Sequence, residues 1–395
     1  MKLRLAVLFG GKSVEHEISV ITAMQAIAAL DTEKYDVLPV YITKDNAFYI
    51  GESIGDLEAY KDIPTLLKKS QQVIPARVGG RAVLLRHPAK AFGGNVLGEF
   101  DCAFPIVHGT NVEDGTLQGL LRLLGAPFVG CDVTASALGM DKYAQKCVFK
   151  DGGIPVLDCV TLRAAEYDAD PDAALGRAEA CGYPAIVKPV NLGSSVGITK
   201  AEDRDALQKA LELAFRFATR VLVEPAVQNL REINCAVLGD ADEARASVCE
   251  EPLNADEILS YENKYLSGGK SKKAPATSFK GMASLDRKIP ADIPDELAER
   301  IQNLAVKAFQ LLDCNGVARV DFLMDGKSGE VWLNEINTIP GSLSFYLWEP
   351  SGLPYPRLLD EMIRLAFLRA RMQEDLLYSF DTNVLANANL GGSKK

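Results

Sequence analysis

Residues 317–337 read VARVDFLMDGKSGEVWLNEIN. Two apolar runs flank DGKSG, a segment rich in turn-forming residues, and this pattern predicts a β-hairpin. Side chains alternate across a strand, so Arg319 and Asp321 should share one face of the first strand. In the second strand the same alternation places Leu333 on the face of Glu335.

This hairpin face carries charged and amide side chains in an apolar setting. A turn centred at residues 327–328 sets Asp321 nearly opposite Glu335, with Arg319 and Asn337 on the same face. Like charges that face each other across a β-ladder are destabilising unless a cation lies between them. Carboxylate oxygens suit Mg²⁺, which binds one or two carboxylates together with phosphate oxygens. The face is therefore a candidate metal site, and a solvated surface with an Arg–Asp ion pair is the alternative.

Length and charge limit the class of protein. The chain has 395 residues, which predicts about two or three domains. Its formal net charge of −10 argues against a nucleic-acid partner, because binding a phosphate backbone needs a basic face. No stretch approaches the roughly 18 apolar residues of a membrane span, so no membrane association is expected.

The cell compartment follows from the N-terminus and the cysteines. MKLRLAVLFGG has a short apolar run and no small-residue cleavage site, so it predicts a first buried strand and not a secretory signal. The 8 cysteines are scattered without a CxxC pair, which favours reduced thiols over a disulfide framework or a zinc site. Both observations predict a cytoplasmic protein.

Strand and helix patterns alternate in the first third of the chain and predict a parallel α/β sheet. Residues 43–94 show no clear pattern, and residues 254–280 form a long polar loop.

The predicted strands span residues 3–9, 35–42, 103–107, 185–188 and 221–224, and the two hairpin strands span 317–324 and 330–337. The predicted helices span residues 14–30, 136–150, 173–181, 205–218, 295–312 and 355–374.

A second group of residues predicts a phosphate site. AIVKPVNLGSSVGI (residues 185–198) combines a buried strand, Lys188 and a loop of small residues. Small residues let backbone N–H groups approach phosphate oxygens, and the lysine adds a compact positive charge. Gly11-Lys12-Ser13 is not a P-loop, because Ala6 stands where that motif needs a glycine. We expect Ser13 to be the N-cap of the following helix, with Glu15 in its first turn.

A third group lies in VHGTNVEDGTLQG (residues 107–119), which follows a predicted buried strand. Active-site loops of parallel sheets occupy this kind of position. His108, Glu113 and Asp114 are polar groups within this one loop. A structural histidine with both ring nitrogens hydrogen-bonded is the alternative for His108.

Seven motifs occur here in the order in which they occur in D-alanine–D-alanine ligases, which this chain resembles over about residues 3–370. They are FGGKSVEHEIS, FPIVHGTNVEDGTLQG, SALGMDK, AIVKPVNLGSSVGI, YENKY, GVARVDFL and LNEINTIPGS. The resemblance implies an ATP-grasp fold, α/β with an α+β ATP-binding part, in three domains. Their bounds would be 1–133, 134–225 and 226–382, with a flexible tail at 383–395 and ATP held between the second and third domains.

The resemblance also implies the chemistry and the residues that perform it. ATP and two Mg²⁺ ions, for which Mn²⁺ can substitute, would convert D-alanine into an acyl phosphate in a homodimeric enzyme. Glu15 would hold the ammonium group of the first D-alanine, with Ser194 and Tyr265 orienting it. The implied substrate-binding residues further include His108, Glu113 and Tyr346. The implied ATP-binding residues are Lys142, Lys188, Ser194, Ser195, Glu224, Glu232 and Lys264.

The remaining implied roles concern the metal and the tetrahedral intermediate. Asp321, Glu335 and Asn337 would bind metal, which agrees with the hairpin face. Arg319 and the backbone N–H of Gly341 would stabilise the tetrahedral intermediate. Acyl phosphates hydrolyse in water, so the site needs a lid, and the polar loop 254–280 is the candidate.

Three positions depart from the family pattern. Val112 replaces a common glycine, Pro225 a common lysine, and Tyr346 a serine that holds the terminal carboxylate in many members. These departures leave open a D-alanine–D-serine or D-alanine–D-lactate ligase and another ATP-grasp ligase. A non-catalytic nucleotide-binding regulator is the remote alternative, and the presence of every metal ligand and phosphate lysine argues against it.

Overall fold

A computed structural model describes residues 2–253, 287–379 and 382–383 of the chain. The strands in this part form three sheets that follow one another along the sequence. No helix in the described ranges is long and apolar enough to cross a membrane. The predicted lid, with Lys264 and Tyr265, lies outside the described residues.

The first sheet has the strand order β6-β5-β4-β3-β2-β1-β7. Its strands are β1 (Leu3–Gly10), β2 (Tyr35–Ile42), β3 (Phe48–Ile50), β4 (Gln71–Val78), β5 (Arg81–Arg86), β6 (Val96–Phe100) and β7 (Cys102–Ile106). β1 pairs in parallel with β2 and with β7, whereas β2 to β6 pair antiparallel. The parallel part is the part predicted from alternation. The antiparallel extension comes from residues 43–94, whose short, half-buried strands carry little apolar periodicity.

Helices connect the parallel strands and place the first site residues. The helices of this region are α1 (His16–Ala29), α2 (Ile63–Lys69) and α3 (Thr116–Leu123). α1 begins at His16, so the prediction of Ser13 as its N-cap is wrong. The Ser13 hydroxyl instead accepts a hydrogen bond from the backbone N–H of Glu15 at 3.1 Å. Glu15 itself takes the N-cap position and lies at the carboxyl end of β1.

The second sheet is antiparallel, with the order β10-β9-β11-β8. Its strands are β8 (Val160–Arg163), β9 (Ala185–Pro189), β10 (Thr199–Ala201) and β11 (Arg220–Pro225). The preceding and covering helices are α4 (Val133–Met140), α5 (Lys142–Asp151), α6 (Ala164–Ala169), α7 (Pro171–Ala178) and α8 (Arg204–Ala214). The single helix predicted over residues 136–150 is wrong, because Asp141 interrupts it. Its carboxylate accepts from the N–H groups of Tyr143 and Ala144, which caps α5.

The third sheet is antiparallel, with the order β14-β13-β12-β15-β16. Its strands are β12 (Leu230–Gly239), β13 (Ala244–Pro252), β14 (Arg287–Lys288), β15 (Gly316–Asp325) and β16 (Val331–Asn337). The helices that follow along the chain are α9 (Asp295–Leu311), α10 (Phe345–Trp348) and α11 (Tyr355–Glu374). α9 buries Ile301 and Phe309 in the core beneath this sheet.

The hairpin β15–β16 has the predicted pairing at its polar end. Asp321 lies opposite Glu335, which confirms the predicted register. The register then shifts, and Phe322 pairs with Leu333, so Asn334 is the extra residue of a β-bulge. The prediction that Leu333 shares the face of Glu335 is therefore wrong. The bulge turns Leu333 into the core, where it is 1% exposed, and leaves Glu335 on the polar face.

The cores cross the predicted domain boundaries. Ala135 and Phe149, from α4 and α5, pack in the core of the third sheet. Leu358 and Met362 of α11 share a core with the strands of the first sheet. Each predicted domain contains one of the three sheets, and the division at residues 133 and 225 stays a prediction.

Candidate active site

Glu15 connects the first sheet to the loop after β9. Its side chain is largely buried, and the Ser194 hydroxyl donates a hydrogen bond to its Oε1 atom. Ser194 has φ of 54°, in the left-handed region, and Ser195 follows with φ of 58°. This backbone turns the Ser194 hydroxyl toward a carboxylate 179 residues away in sequence. The two motifs that predicted donor and phosphate binding therefore meet at one point.

Two glycines make this close approach possible. A Cβ atom on Gly193 would lie 2.5 Å from Glu15 Oε2, and one on Gly109 would lie 2.8 Å from the same oxygen. Any side chain at either position would displace the carboxylate. Sequence reasoning did not single out these glycines, although both stand inside the motifs that it quoted.

His108 is buried and hydrogen-bonded at both ring nitrogens. Nδ1 lies 2.8 Å from the carbonyl oxygen of Ile339, and Nε2 lies 3.1 Å from the Thr22 hydroxyl. A carbonyl oxygen can only accept, so Nδ1 carries the proton and Nε2 accepts from Thr22. Burial lowers the pKa of His108 to about 4, which keeps the ring neutral.

Glu113 holds the same segment from the other side. Its carboxylate accepts from the N–H of Gly109 at 2.9 Å, from the N–H of Ile339 at 2.8 Å and from the Thr338 hydroxyl at 3.2 Å. Burial, with a smaller contribution from the charge of Glu15, raises the pKa of Glu113 to about 8. These contacts make His108 and Glu113 a clamp on the residues before Gly341. Direct substrate binding by either side chain stays a prediction.

The clamped loop has unusual backbone geometry. Ser342, Leu343 and Ser344 all have positive φ, at 53°, 48° and 49°. Non-glycine residues in this region cost on the order of 1–3 kcal/mol each unless the surroundings hold them. The N–H of Ser342 donates to the hydroxyl of Thr22 on α1 at 3.2 Å, which adds a third contact between this loop and the region of the first sheet. The backbone of Gly341 is thereby held in a fixed position.

Two buried lysines, Lys142 and Lys188, contact residues of the third sheet. Lys142 Nζ lies 2.7 Å from Glu335 Oε2 and donates to the Leu192 carbonyl at 2.8 Å. Lys188 Nζ lies 2.5 Å from Glu224 Oε1 and donates to Asn334 Oδ1 at 2.9 Å. Burial opposes the charge of Lys188, but Glu224 outweighs it and raises the pKa of Lys188 above its ordinary value.

Some residues near these lysines were predicted as site residues from the sequence, and others were not. Glu232 lies on β12, and its charge adds to the raised pKa of Lys188. Lys146, which sequence reasoning missed, lies 2.8 Å from Glu224 Oε2. The carboxylate of Asp114 accepts hydrogen bonds from the N–H groups of Asn111 and Thr116, so these contacts stay within its own loop.

The polar face of the hairpin brings together the side chains that the sequence placed on it. Arg319 donates two hydrogen bonds to Asp321, at 2.6 and 2.7 Å, and Asn337 donates a third at 3.0 Å. Burial opposes the charge of Arg319, but Asp321 keeps its pKa well above the ordinary value. Glu335, opposite Asp321, contacts Lys142. The predicted alternative, an Arg–Asp ion pair, is present, but on a face where both side chains are nearly buried.

The donor set on this face fits a hard divalent cation. It consists of two carboxylates and one amide, and Mg²⁺ binds one or two carboxylates while phosphate oxygens complete its shell. The described residues contain no group of three His, Cys, Asp or Glu side chains that could hold a metal ion. Each carboxylate is now neutralised by a cation of the chain, Asp321 by Arg319 and Glu335 by Lys142. Two carboxylates and one amide leave the rest of a Mg²⁺ shell to oxygens of a ligand.

Tyr346 contacts two charged side chains, Arg287 and Glu250. Its ring lies under the Arg287 guanidinium, 4.2 Å from the ring centroid, and its hydroxyl donates to Glu250 at 3.3 Å. Glu250 also forms an ion pair with Arg287 and accepts from Asn234 at 3.2 Å. Burial raises the pKa of Tyr346, so the phenol stays neutral. Sequence reasoning missed Glu250 and Arg287, which stand in segments without a motif.

Three sheets, a loop of small residues over buried lysines and a two-carboxylate hairpin define an ATP-grasp ligase, a fold that this chain shares with solved ligase structures. Family models described as D-ala D-ala ligase N-terminus and C-terminus match residues 4–131 and 148–364. The chain belongs to the D-alanine–D-alanine ligase family.

Named relatives support this assignment. A D-alanine–D-alanine ligase of Thermoanaerobacter sp. (strain X514) is 42% identical over 370 residues, covering 92% of this chain and 96% of the relative. The D-alanine–D-alanine ligase structure from Coxiella burnetii has a TM-score of 0.76 at 33% identity, covering 94% of this chain and 96% of that one. The VanG D-Ala:D-Ser ligase structure from Enterococcus faecalis has a TM-score of 0.75 at 33% identity, covering 93% and 100%.

Proposed function

We propose that this protein joins two D-alanine molecules into D-alanyl-D-alanine, with ATP converted to ADP and phosphate, for peptidoglycan precursor synthesis. The observation that carries the proposal is the contact between Glu15 and Ser194. It links a buried carboxylate suited to an amino acid's ammonium group with the loop suited to a nucleotide's phosphates. Family membership supports the same activity.

The reaction needs two displacements. A carboxylate oxygen of the first D-alanine attacks the γ-phosphorus of ATP, and ADP leaves. The amine of the second D-alanine then attacks the acyl carbon, loses a proton, and expels phosphate. Glu15 would hold the first ammonium group, while Lys142 and Lys188 would balance charge on the phosphates. Glu224, Glu232 and Ser195 would line the rest of the nucleotide site, as would Lys264 outside the described residues.

The hairpin and the loop that follows it would supply the remaining groups. Asp321, Glu335 and Asn337 would hold two Mg²⁺ ions, which would neutralise charge on the transferring phosphoryl group. Arg319 and the Gly341 N–H would stabilise the tetrahedral intermediate, which places a negative oxygen beside them. The clamp of His108 and Glu113 supports this role, because an oxyanion donor must be held in place before the charge develops.

D-alanine is proposed as the second substrate, because Tyr265 of YENKY would add no positive charge near the incoming amine. A nearby imidazolium would oppose the acceptor's ammonium form and favour a hydroxy acid. D-serine is the second candidate: Tyr346 replaces a serine that holds the acceptor carboxylate in many family members, and a neighbour in structure is named a D-Ala:D-Ser ligase.

Purified protein incubated with ATP, Mg²⁺ and D-alanine tests the activity. We expect ADP, phosphate and dipeptide in equal amounts, and dependence of phosphate release on D-alanine. AMP and pyrophosphate as products would contradict an acyl-phosphate route. D-alanine, D-serine and D-lactate in competition near pH 7 should give mainly D-alanyl-D-alanine; a mainly ester product would contradict the assigned acceptor.

We further infer a cytoplasmic homodimer. The use of ATP and the scattered cysteines support the compartment. The dimer rests on the family resemblance. Gel filtration with light scattering would measure the mass in solution, and a monomer at micromolar concentration would contradict it.

A further inference from the structure

Lys146 is a buried charged residue with no role in the reaction described above. It lies on α5, one turn after Lys142, and its side chain is 5% exposed. Its ammonium group lies 2.8 Å from Glu224 Oε2 and 3.3 Å from the Leu157 carbonyl. Lys188 approaches the other oxygen of Glu224 from the opposite side. One buried carboxylate is therefore shared between two lysines.

Both lysine contacts of Glu224 are close ion pairs, one at each carboxylate oxygen. The side chain is 0% exposed, so no bulk water can replace either lysine. Burial opposes its charge, but the two lysines outweigh burial and lower the pKa of Glu224.

A phosphate group would compete with Glu224 for the positive charge of Lys188. A lysine has three donor hydrogens, and those of Lys188 are directed at Glu224 and at Asn334 in the described structure. If Lys188 turned toward phosphate without another cation at Glu224, a buried carboxylate would lose its compensation. Breaking a buried pair in this way is strongly unfavourable, because it leaves a buried charge without compensation. Lys146 removes that cost, because it stays in contact with the other oxygen.

We propose that Lys146 is a positioning residue of the nucleotide site, which keeps Glu224 charged and in place and so releases Lys188 to bind the phosphates of the nucleotide. The inference rests on the proposed assignment of Lys188 and Glu224 to ATP. It differs from a packing role, in which Lys146 only ties α5 to the Leu157 carbonyl.

Binding of Mg·ADP to the full-length protein, measured by titration calorimetry, tests the inference without turnover. We expect Lys146→Met to weaken binding about tenfold or more, as the loss of one charge-assisted contact predicts. Lys146→Arg keeps the charge and should bind within about threefold of wild type. Lys150→Met is the matched control: Lys150 is one turn further along α5, exposed, and paired with Asp158, so binding should not change.

A double-mutant cycle separates positioning from packing. In a Glu224→Gln background the carboxylate no longer competes for Lys188, so Lys146→Met should change Mg·ADP binding by less than about twofold. A packing role predicts the same loss in both backgrounds and would overturn the inference. The Glu224→Gln background also removes the uncompensated charge, which keeps the test available if Lys146→Met alone does not fold.

The outcomes distinguish this inference from the proposed function. If wild-type protein does not bind Mg·ADP, the assignment of the nucleotide site is wrong. If wild type binds and Lys146→Met binds equally tightly with an unchanged melting temperature, the site stands and the role of Lys146 is wrong.

Discussion

Replacing Glu113 by Ala should detach the loop that carries Gly341 from the loop that follows β7. The carboxylate accepts from two buried backbone N–H groups, those of Gly109 and Ile339, and from the Thr338 hydroxyl. Each buried donor left without an acceptor costs roughly 1–3 kcal/mol, so the two N–H groups alone predict a loss of about 2–6 kcal/mol in the free energy of unfolding. Turnover should fall too, because the Gly341 N–H loses its fixed position.

Glu113→Gln is the matched control, since it preserves volume and one acceptor oxygen. The amide oxygen can serve Ile339 and Thr338, while Gly109 loses its acceptor, so the cost should be about 1–3 kcal/mol. Urea unfolding followed by tryptophan emission measures both variants, because Trp348 lies in the core shared with the first sheet. Equal stability of the Ala and Gln variants would refute the clamp.

The pH dependence of stability gives a second readout of Glu113. Its folded pKa is about 8 against an ordinary 4.5, so the folded protein retains a proton that the unfolded chain has released. Stability contributed by this group is present below pH 4.5 and is lost as pH rises toward 8. The loss reaches up to about 1.4 kcal/mol per pH unit relative to Glu113→Gln. If the free energy of unfolding changed with pH in the same way in wild type and in Glu113→Gln, the raised pKa of Glu113 would be contradicted.

Two further predictions concern the chemistry. Glu335→Gln should lower the rate of D-alanine-dependent phosphate release by about a hundredfold or more, because it removes a carboxylate from the hairpin face, while circular dichroism stays unchanged. A rate near that of wild type with ordinary Mg²⁺ dependence would show that Glu335 does not hold the metal. Ser194→Ala should raise the KM for the first D-alanine about tenfold, the value of one hydrogen bond to a charged group. An unchanged KM would mean that Ser194 does not orient Glu15.

Local patterns were sufficient where one strand or loop determines the outcome. The pairing of Asp321 with Glu335 follows from a short turn and strand alternation, and it is present. The same alternation failed at Leu333, because a bulge at Asn334 changes which face the next side chain occupies. A bulge depends on how the sheet packs, so the alternation of side chains within one strand does not predict it.

The sequence by itself determined the class of this protein. The hairpin face, the phosphate loop and the order of seven motifs depend on residues that are close together along the chain, so they can be recognised without the fold. Only the tertiary structure decided that His108 and Glu113 clamp the residues before Gly341, and that Lys146 shares Glu224 with Lys188. The contacts of His108 and Glu113 with Ile339 join residues 231 and 226 positions apart. Glu224 stands 78 positions after Lys146 and 36 after Lys188. Their partners follow from packing and burial of distant segments, and no spacing along the chain encodes either.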